Sequence, residues 1–168
     1  MQRHLVIMGV AGCGKSSVGA AAAQALGLPL IEGDAFHSAG NLAKMSAGIA
    51  LDDADRRGWL AALGRELQAH PQGAVLTCSA LKRAYREQLR AACPGLRFAF
   101  LAIGRDDAQA RVAGRGATHF FSADLVASQF EALEPPLEEP GVLPLQGTEP
   151  IEALSRAIHH WLAAKETA

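Results

Sequence analysis

Residues 9 to 16 read GVAGCGKS and fill the spacing G-x-x-x-x-G-K-[ST] with Gly9, Gly14, Lys15 and Ser16. The residue types define a chemistry. Glycines adopt torsions closed to other residues and let the backbone approach an anion closely. The N–H groups of such a loop, and of the helix that follows it, point at phosphate oxygens. The lysine of the motif reaches the β- and γ-phosphates, and the hydroxyl after it coordinates Mg²⁺. Val10, Ala11, Gly12, Cys13 and Ser17 complete the predicted ATP-binding loop. The alternative is a glycine-rich turn with an incidental lysine. Its context argues against that: an apolar run, Leu5 to Met8, precedes the loop and an alanine-rich helix former follows it. No Asn-Lys-x-Asp element for reading guanine occurs, so ATP is expected rather than GTP.

The elements that must carry this loop alternate along the chain. Leu5–Met8 reads as a strand buried on both faces, and Ser16–Leu26 as a helix stopped by Gly27 and Pro29. Leu30–Glu32 is a second strand that runs into Gly33-Asp34. Asp52–His70 has Trp59, Leu60, Leu63 and Leu67 at helical spacing, with acidic residues in the first turn. Strands at Ala74–Thr77 and Phe98–Ile103 follow, with helices at Lys82–Ala92, Asp106–Ala113 and Asp124–Leu133. Val142–Leu145 is a weak fifth strand, placed at an edge by Pro144, and Glu149–Ala164 is the closing helix. Alternation of this kind predicts an α/β fold with a mainly parallel sheet and right-handed crossovers.

The chain has 168 residues, of which 49% are hydrophobic and 20% charged, which suits one folded domain over 1–168. A net charge of −1 gives no support to nucleic-acid binding. No apolar run approaches the roughly 20 residues of a membrane span. Cys13, Cys78 and Cys93 are odd in number and lack metal-ligand spacing, which predicts reduced thiols and a cytoplasmic protein.

Beyond the loop stand EGDAFHSAGNLAKMSAGIALDDADRRGWL, CSALKRAYREQLR, HFF and LVASQFEALEPP. In this order and spacing they resemble the gluconokinases, small P-loop kinases that phosphorylate D-gluconate on its 6-hydroxyl with ATP. The resemblance runs from about Val6 to the final helix. It implies a three-layer P-loop fold like that of shikimate kinase, with a five-stranded sheet ordered 2-3-1-4-5 and a mobile lid at about 114–122. It also implies ATP, Mg²⁺ and gluconate as partners, and a homodimer. The other readings are a shikimate kinase-like enzyme and a nucleotide-binding regulator without catalysis. A shikimate kinase usually shows Asp-x-Asp after the second strand, where this chain has Glu32-Gly33-Asp34.

Candidate residues follow. The third strand ends Thr77-Cys78-Ser79 with no carboxylate, so Asp34 is the leading acid near the phosphates. It is expected to orient or deprotonate the acceptor hydroxyl and to organise the water shell of Mg²⁺ alongside Ser16; a turn-capping aspartate is the alternative. His37, three residues on, is expected to face the acceptor, since a neutral imidazole offers a polyol one donor and one acceptor. The gluconate carboxylate needs a cation, and Lys44, Arg57, Lys82 and Arg86 are candidates, although solvated charges are the default for such residues. Lys82 and Arg86 rank first, because i and i+4 share a helix face at the strand ends. Ser79 at that end is expected to meet a substrate hydroxyl. By resemblance Arg111 flanks the adenine, Arg115 serves the phosphates with Lys15, and His119 belongs to an Arg-x-x-His-Phe lid element. Here Arg115 stands four residues before His119 rather than three. Thr148 and Pro150 lie in a segment resembling the loop that closes over adenine, where Thr148 also suits an N-cap region. Gln129 and Phe130 either line the pocket or pack the helix, and Phe130 is read as packing.

Overall fold

Leu5 to Met8 are all buried in the first strand, β1 (Arg3–Met8), because sheet neighbours flank it on both sides. In the computed structural model, which describes residues 3–115 and 123–166, β1 pairs in parallel with β3 (Gly73–Thr77) and β4 (Arg97–Ala102). The sheet is extended by β2 (Leu30–Glu32) on β3 and by β5 (Val142–Gln146) on β4. The order is β2-β3-β1-β4-β5, with every pair parallel, as the resemblance implies. Pro144 lies in the edge strand β5, where a missing N–H leaves no ladder bond unmade.

Helices cover the sheet in a three-layer α/β/α arrangement. The first, α1 (Lys15–Leu26), packs on α7 (Ile151–Glu166), while α3 (Asp53–Gln68) packs on α4 (Arg83–Ala92). Two further helices, α5 (Arg105–Gly114) and α6 (Ala123–Ala132), pack on each other. A capping box between Asp52 and Asp55 starts α3, and its buried face is Arg56, Trp59, Leu60, Leu63 and Leu67. A short helix, α2 (Ala39–Ser46), lies where no element is predicted from sequence. Ser38 caps it by accepting from the Asn41 N–H at 3.1 Å, and only Asn41 and Met45 of its residues are buried. Its apolar periodicity is correspondingly thin.

Parallel strands put all their carboxyl ends at one edge of the sheet. The GVAGCGKS loop after β1, the 3-10 turn Gly33–Phe36 after β2 and the Cys78–Lys82 turn after β3 therefore share that edge. Among the described residues no helix is long and apolar enough to cross a membrane. The predicted lid falls largely on residues 116–122, which with His119 lie outside the described residues.

Candidate active site

The phosphate loop is built on close backbone approaches. At Gly12, with φ +83°, a Cβ would stand 2.7 Å from the Ala108 carbonyl oxygen. Lys15 crosses the loop, donating from Nζ to Gly9 O at 3.0 Å and Val10 O at 3.1 Å. Ser16 Oγ donates to Glu32 Oε2 at 3.2 Å, and Thr77 Oγ1 donates to the same oxygen at 2.6 Å. The carboxylate lacking after β3 is thus supplied from the end of β2, its sheet neighbour. Glu32 is absent from the sequence expectations, although its position two residues before Asp34 was a usable signal. Ser16 Oγ and Glu32 Oε2 are adjacent hard oxygens of the kind that fits Mg²⁺, and Asp34 lines the cavity entered by Lys15. The described residues hold no group of three or more His, Cys, Asp or Glu that could hold a metal ion by themselves.

Gly33 sets the acceptor side. A Cβ there would lie 2.2 Å from Thr77 O, so only glycine lets the end of β2 run this close to the end of β3. The Trp59 indole N–H donates to Gly33 O at 2.8 Å and fixes the turn. Asp34, His37, Lys15, Ser79 and Gln129 then line one cavity, with Arg56 and apolar walls from Met45, Leu51 and Trp59. His37 stacks on Trp59 at 4.2 Å between ring centroids. Its Nδ1 lies 3.3 Å from Asn41 Nδ2, an amide nitrogen that only donates, so Nδ1 accepts and Nε2 carries the hydrogen. That Nε2 stands 3.8 Å from Asp34 Oδ1. Burial lowers the His37 pKa, against the pull of Asp34 and with help from Arg56, so the ring is neutral near pH 7.

Arg56 joins Lys15 as a cation lining this cavity; the sequence expectations name its neighbour Arg57, which is exposed, but not Arg56. It is 7% exposed, and its Nε and Nη1 are buried without a hydrogen-bond partner among the described residues. Its guanidinium lies 5.4 Å from the Tyr85 ring centroid. An unpartnered buried guanidinium is costly, and an anionic ligand is the usual remedy. The helical spacing Arg56, Trp59, Leu60, Leu63 carried the signal.

Three predicted carboxylate anchors are corrected. Arg86 is 1% exposed and spends its donors on protein: Nε on both Glu139 oxygens at 3.0 and 3.1 Å, Nη1 on Ala80 O and Leu81 O, and Nη2 on Glu134 O and Glu139. Burial pushes the Glu139 carboxyl up, but hydrogen bonds from Arg86 and Arg90 outweigh it and hold it below the usual range. Lys82 is the extended N-cap residue of α4 rather than part of the helix, and it pairs with Asp53 at 2.9 Å, so it shares no face with Arg86. Lys44 pairs with Asp55 at 2.7 Å and does not line the cavity. Ser79 does line it, and its carbonyl accepts from Gly9 N–H at 3.3 Å.

Arg111 donates from Nη1 to Gly12 O at 3.2 Å and from Nη2 to Gly147 O at 3.1 Å, bridging the phosphate loop and the segment before Thr148 and Pro150. Arg115 ends α5 and is exposed. Phe130 packs against the core with Arg105 over its ring, whereas Gln129 turns to the cavity. The three cysteines are free and buried, and burial pushes the Cys78 thiol up to about 12.

Among proteins similar to this chain is a gluconokinase of Gluconobacter oxydans (strain 621H), 42% identical over 165 residues, which cover 96% of this chain and 92% of that one. The chain belongs to the gluconokinase family. A crystal structure of a gluconokinase from Sinorhizobium meliloti 1021 is 44% identical, with TM-score 0.83 over 92% of this chain and 87% of that one. Shikimate kinase from Aquifex aeolicus, at 15% identity and TM-score 0.66 over 97% and 98% of the two chains, shares the fold alone with this gluconokinase family member. No family model matches the chain.

Proposed function

We propose that this protein transfers the γ-phosphoryl group of ATP to the 6-hydroxyl of D-gluconate, releasing ADP and 6-phospho-D-gluconate. The observation that carries this reading is the buried, unpartnered Arg56 guanidinium in the cavity shared by Lys15 and Asp34. It supplies a carboxylate anchor beside a phosphoryl-transfer site, and kinship to the gluconokinases supports the same substrate.

In this reading Gly9 to Ser17 hold the triphosphate, Lys15 the β- and γ-oxygens, and Arg111 the adenine with Thr148 and Pro150. Ser16, with Glu32 and with Asp34 through water, would hold Mg²⁺, which would neutralise phosphate charge. Asp34 accepts the proton as the 6-oxygen bonds to Pγ and the bond from Pγ to the leaving oxygen of ADP breaks. The His37 Nε2–H and Ser79 hydroxyl serve the sugar hydroxyls. Arg115 serves the transferring phosphoryl group alongside Lys15. The free buried thiols fit a reducing compartment, so the protein works in the cytoplasm. It assembles as a homodimer, which light scattering reads as twice the chain mass.

The test is a coupled assay of ADP release against gluconate, shikimate and no acceptor. Gluconate should raise the rate at least tenfold above the acceptor-free rate, and shikimate should not. Equal stimulation by shikimate, or none by gluconate, overturns the reading.

A further inference from the structure

Gln129 is buried to 3% exposure on α6, and its Oε1 accepts from the Ala11 N–H of the phosphate loop at 2.7 Å, across 118 residues of sequence. Ala11 and Gln129 both line the acceptor cavity, as do Leu125, one turn earlier on α6, and the adjacent Ser128. Ser128 Oγ is turned back on its own helix, donating to Leu125 O at 2.8 Å. Gln129 is therefore the side chain of this face that reaches the loop. A carboxamide is planar, so holding Oε1 fixes the direction of the NH₂ on the same carbon. Nε2 has no hydrogen-bond partner among the described residues, and its two N–H donors remain for a ligand in the cavity.

We propose that Gln129 couples acceptor binding to the phosphate loop, with Nε2 donating to an oxygen of the bound polyol acid while Oε1 holds Ala11 N–H. The proposal rests on the reading that gluconate is the acceptor. When Nε2 donates, the amide polarises and Oε1 becomes a stronger acceptor. The same contact fixes the side chain's rotamer. Both effects order the loop at Ala11, so a nucleotide binding second meets a loop already ordered. Coupling between binding sites is reciprocal, so nucleotide must favour gluconate by the same factor.

The experiment measures the dissociation constant of a non-hydrolysable ATP analogue, with Mg²⁺, with and without saturating gluconate. In the unaltered protein gluconate should tighten analogue binding about fivefold or more, the lower end of ordinary couplings. Gln129→Met, of similar length but without donor or acceptor, should bring that factor below about twofold. Gln129→Glu keeps an acceptor for Ala11 but loses the donor, and should also lose the coupling. Thus a Met variant that fails to fold still leaves a decisive comparison. Glu131→Ala, at an exposed position of α6 outside the cavity, should retain the factor. An undiminished factor in both Gln129 variants, or a factor of one in the unaltered protein, overturns the proposal. Absence of gluconate phosphorylation by the unaltered protein would instead remove the underlying substrate reading, so the two failures are distinct.

Discussion

Replacing Arg56 by Met tests the acceptor site most directly, because the structure gives two effects of opposite sign. The guanidinium is 7% exposed, with Nε and Nη1 unpartnered among the described residues and the Tyr85 ring 5.4 Å away as partial compensation. Removing it relieves a buried charge, so the ligand-free variant should be as stable as the unaltered protein or more so. With gluconate bound, the same change deletes charge-assisted hydrogen bonds worth about 1.5–3 kcal/mol each. Two such bonds, discounted for the ring contact and for water entry, leave about 2–4 kcal/mol. At 1.36 kcal/mol per decade that is a loss of roughly 30- to 1000-fold in kcat/KM for gluconate. The KM for ATP should move little. The preference for gluconate over its neutral polyol counterpart, glucitol, should collapse, since only the acid offers a carboxylate. Differential scanning calorimetry and the coupled ADP assay supply both readouts. A variant within threefold of the unaltered kcat/KM, or one markedly destabilised without ligand, would refute the assignment of Arg56 as the carboxylate anchor.

Asp34→Asn should cut turnover about 10²-fold or more while ATP binding is kept, in the range of a positioned acid–base group; turnover at the unaltered level would place the base elsewhere. Arg86→Met should cost about 3 kcal/mol of stability by removing the more buried of the two arginines that pair with Glu139, and an unchanged melting temperature would contradict the structural role given to that pair. His37 has its pKa lowered by burial, so the unfolded chain takes up the proton first and stability is lost as pH falls below about 6.5. His37→Gln should flatten that limb between pH 7 and 5 in denaturant titrations, and an identical limb would argue against a buried neutral ring. Arg115→Ala should depress the gluconate-driven rate more than it weakens ATP binding, with Arg111→Ala weakening ATP binding instead; the opposite pattern would exchange their roles.

The phosphate loop was legible because contiguous residues encode it. Gly9 to Ser16 define a local backbone shape that packing elsewhere does not alter, and the alternation of apolar strands with helices fixed its place after β1. The position of Asp34, though not its role, was legible for a similar reason, since the end of β2 must share an edge with the end of β1 in a parallel sheet. Family kinship was also written in motifs of contiguous residues. What the sequence by itself left open was the destination of long polar side chains. Arg56 and Arg57 are adjacent in the chain, yet one faces the cavity and the other solvent, because Trp59, Leu60 and Leu63 fix which side of α3 is buried. Arg86 looked like a ligand cation until Glu139, 53 residues away, folded against it. Glu32 acquires its place beside Ser16 from Thr77 on the neighbouring strand, and Gln129 meets Ala11 across 118 residues. Local shape follows from neighbours in sequence, whereas the partner of a buried charge or amide is decided by which surfaces the packed core brings together.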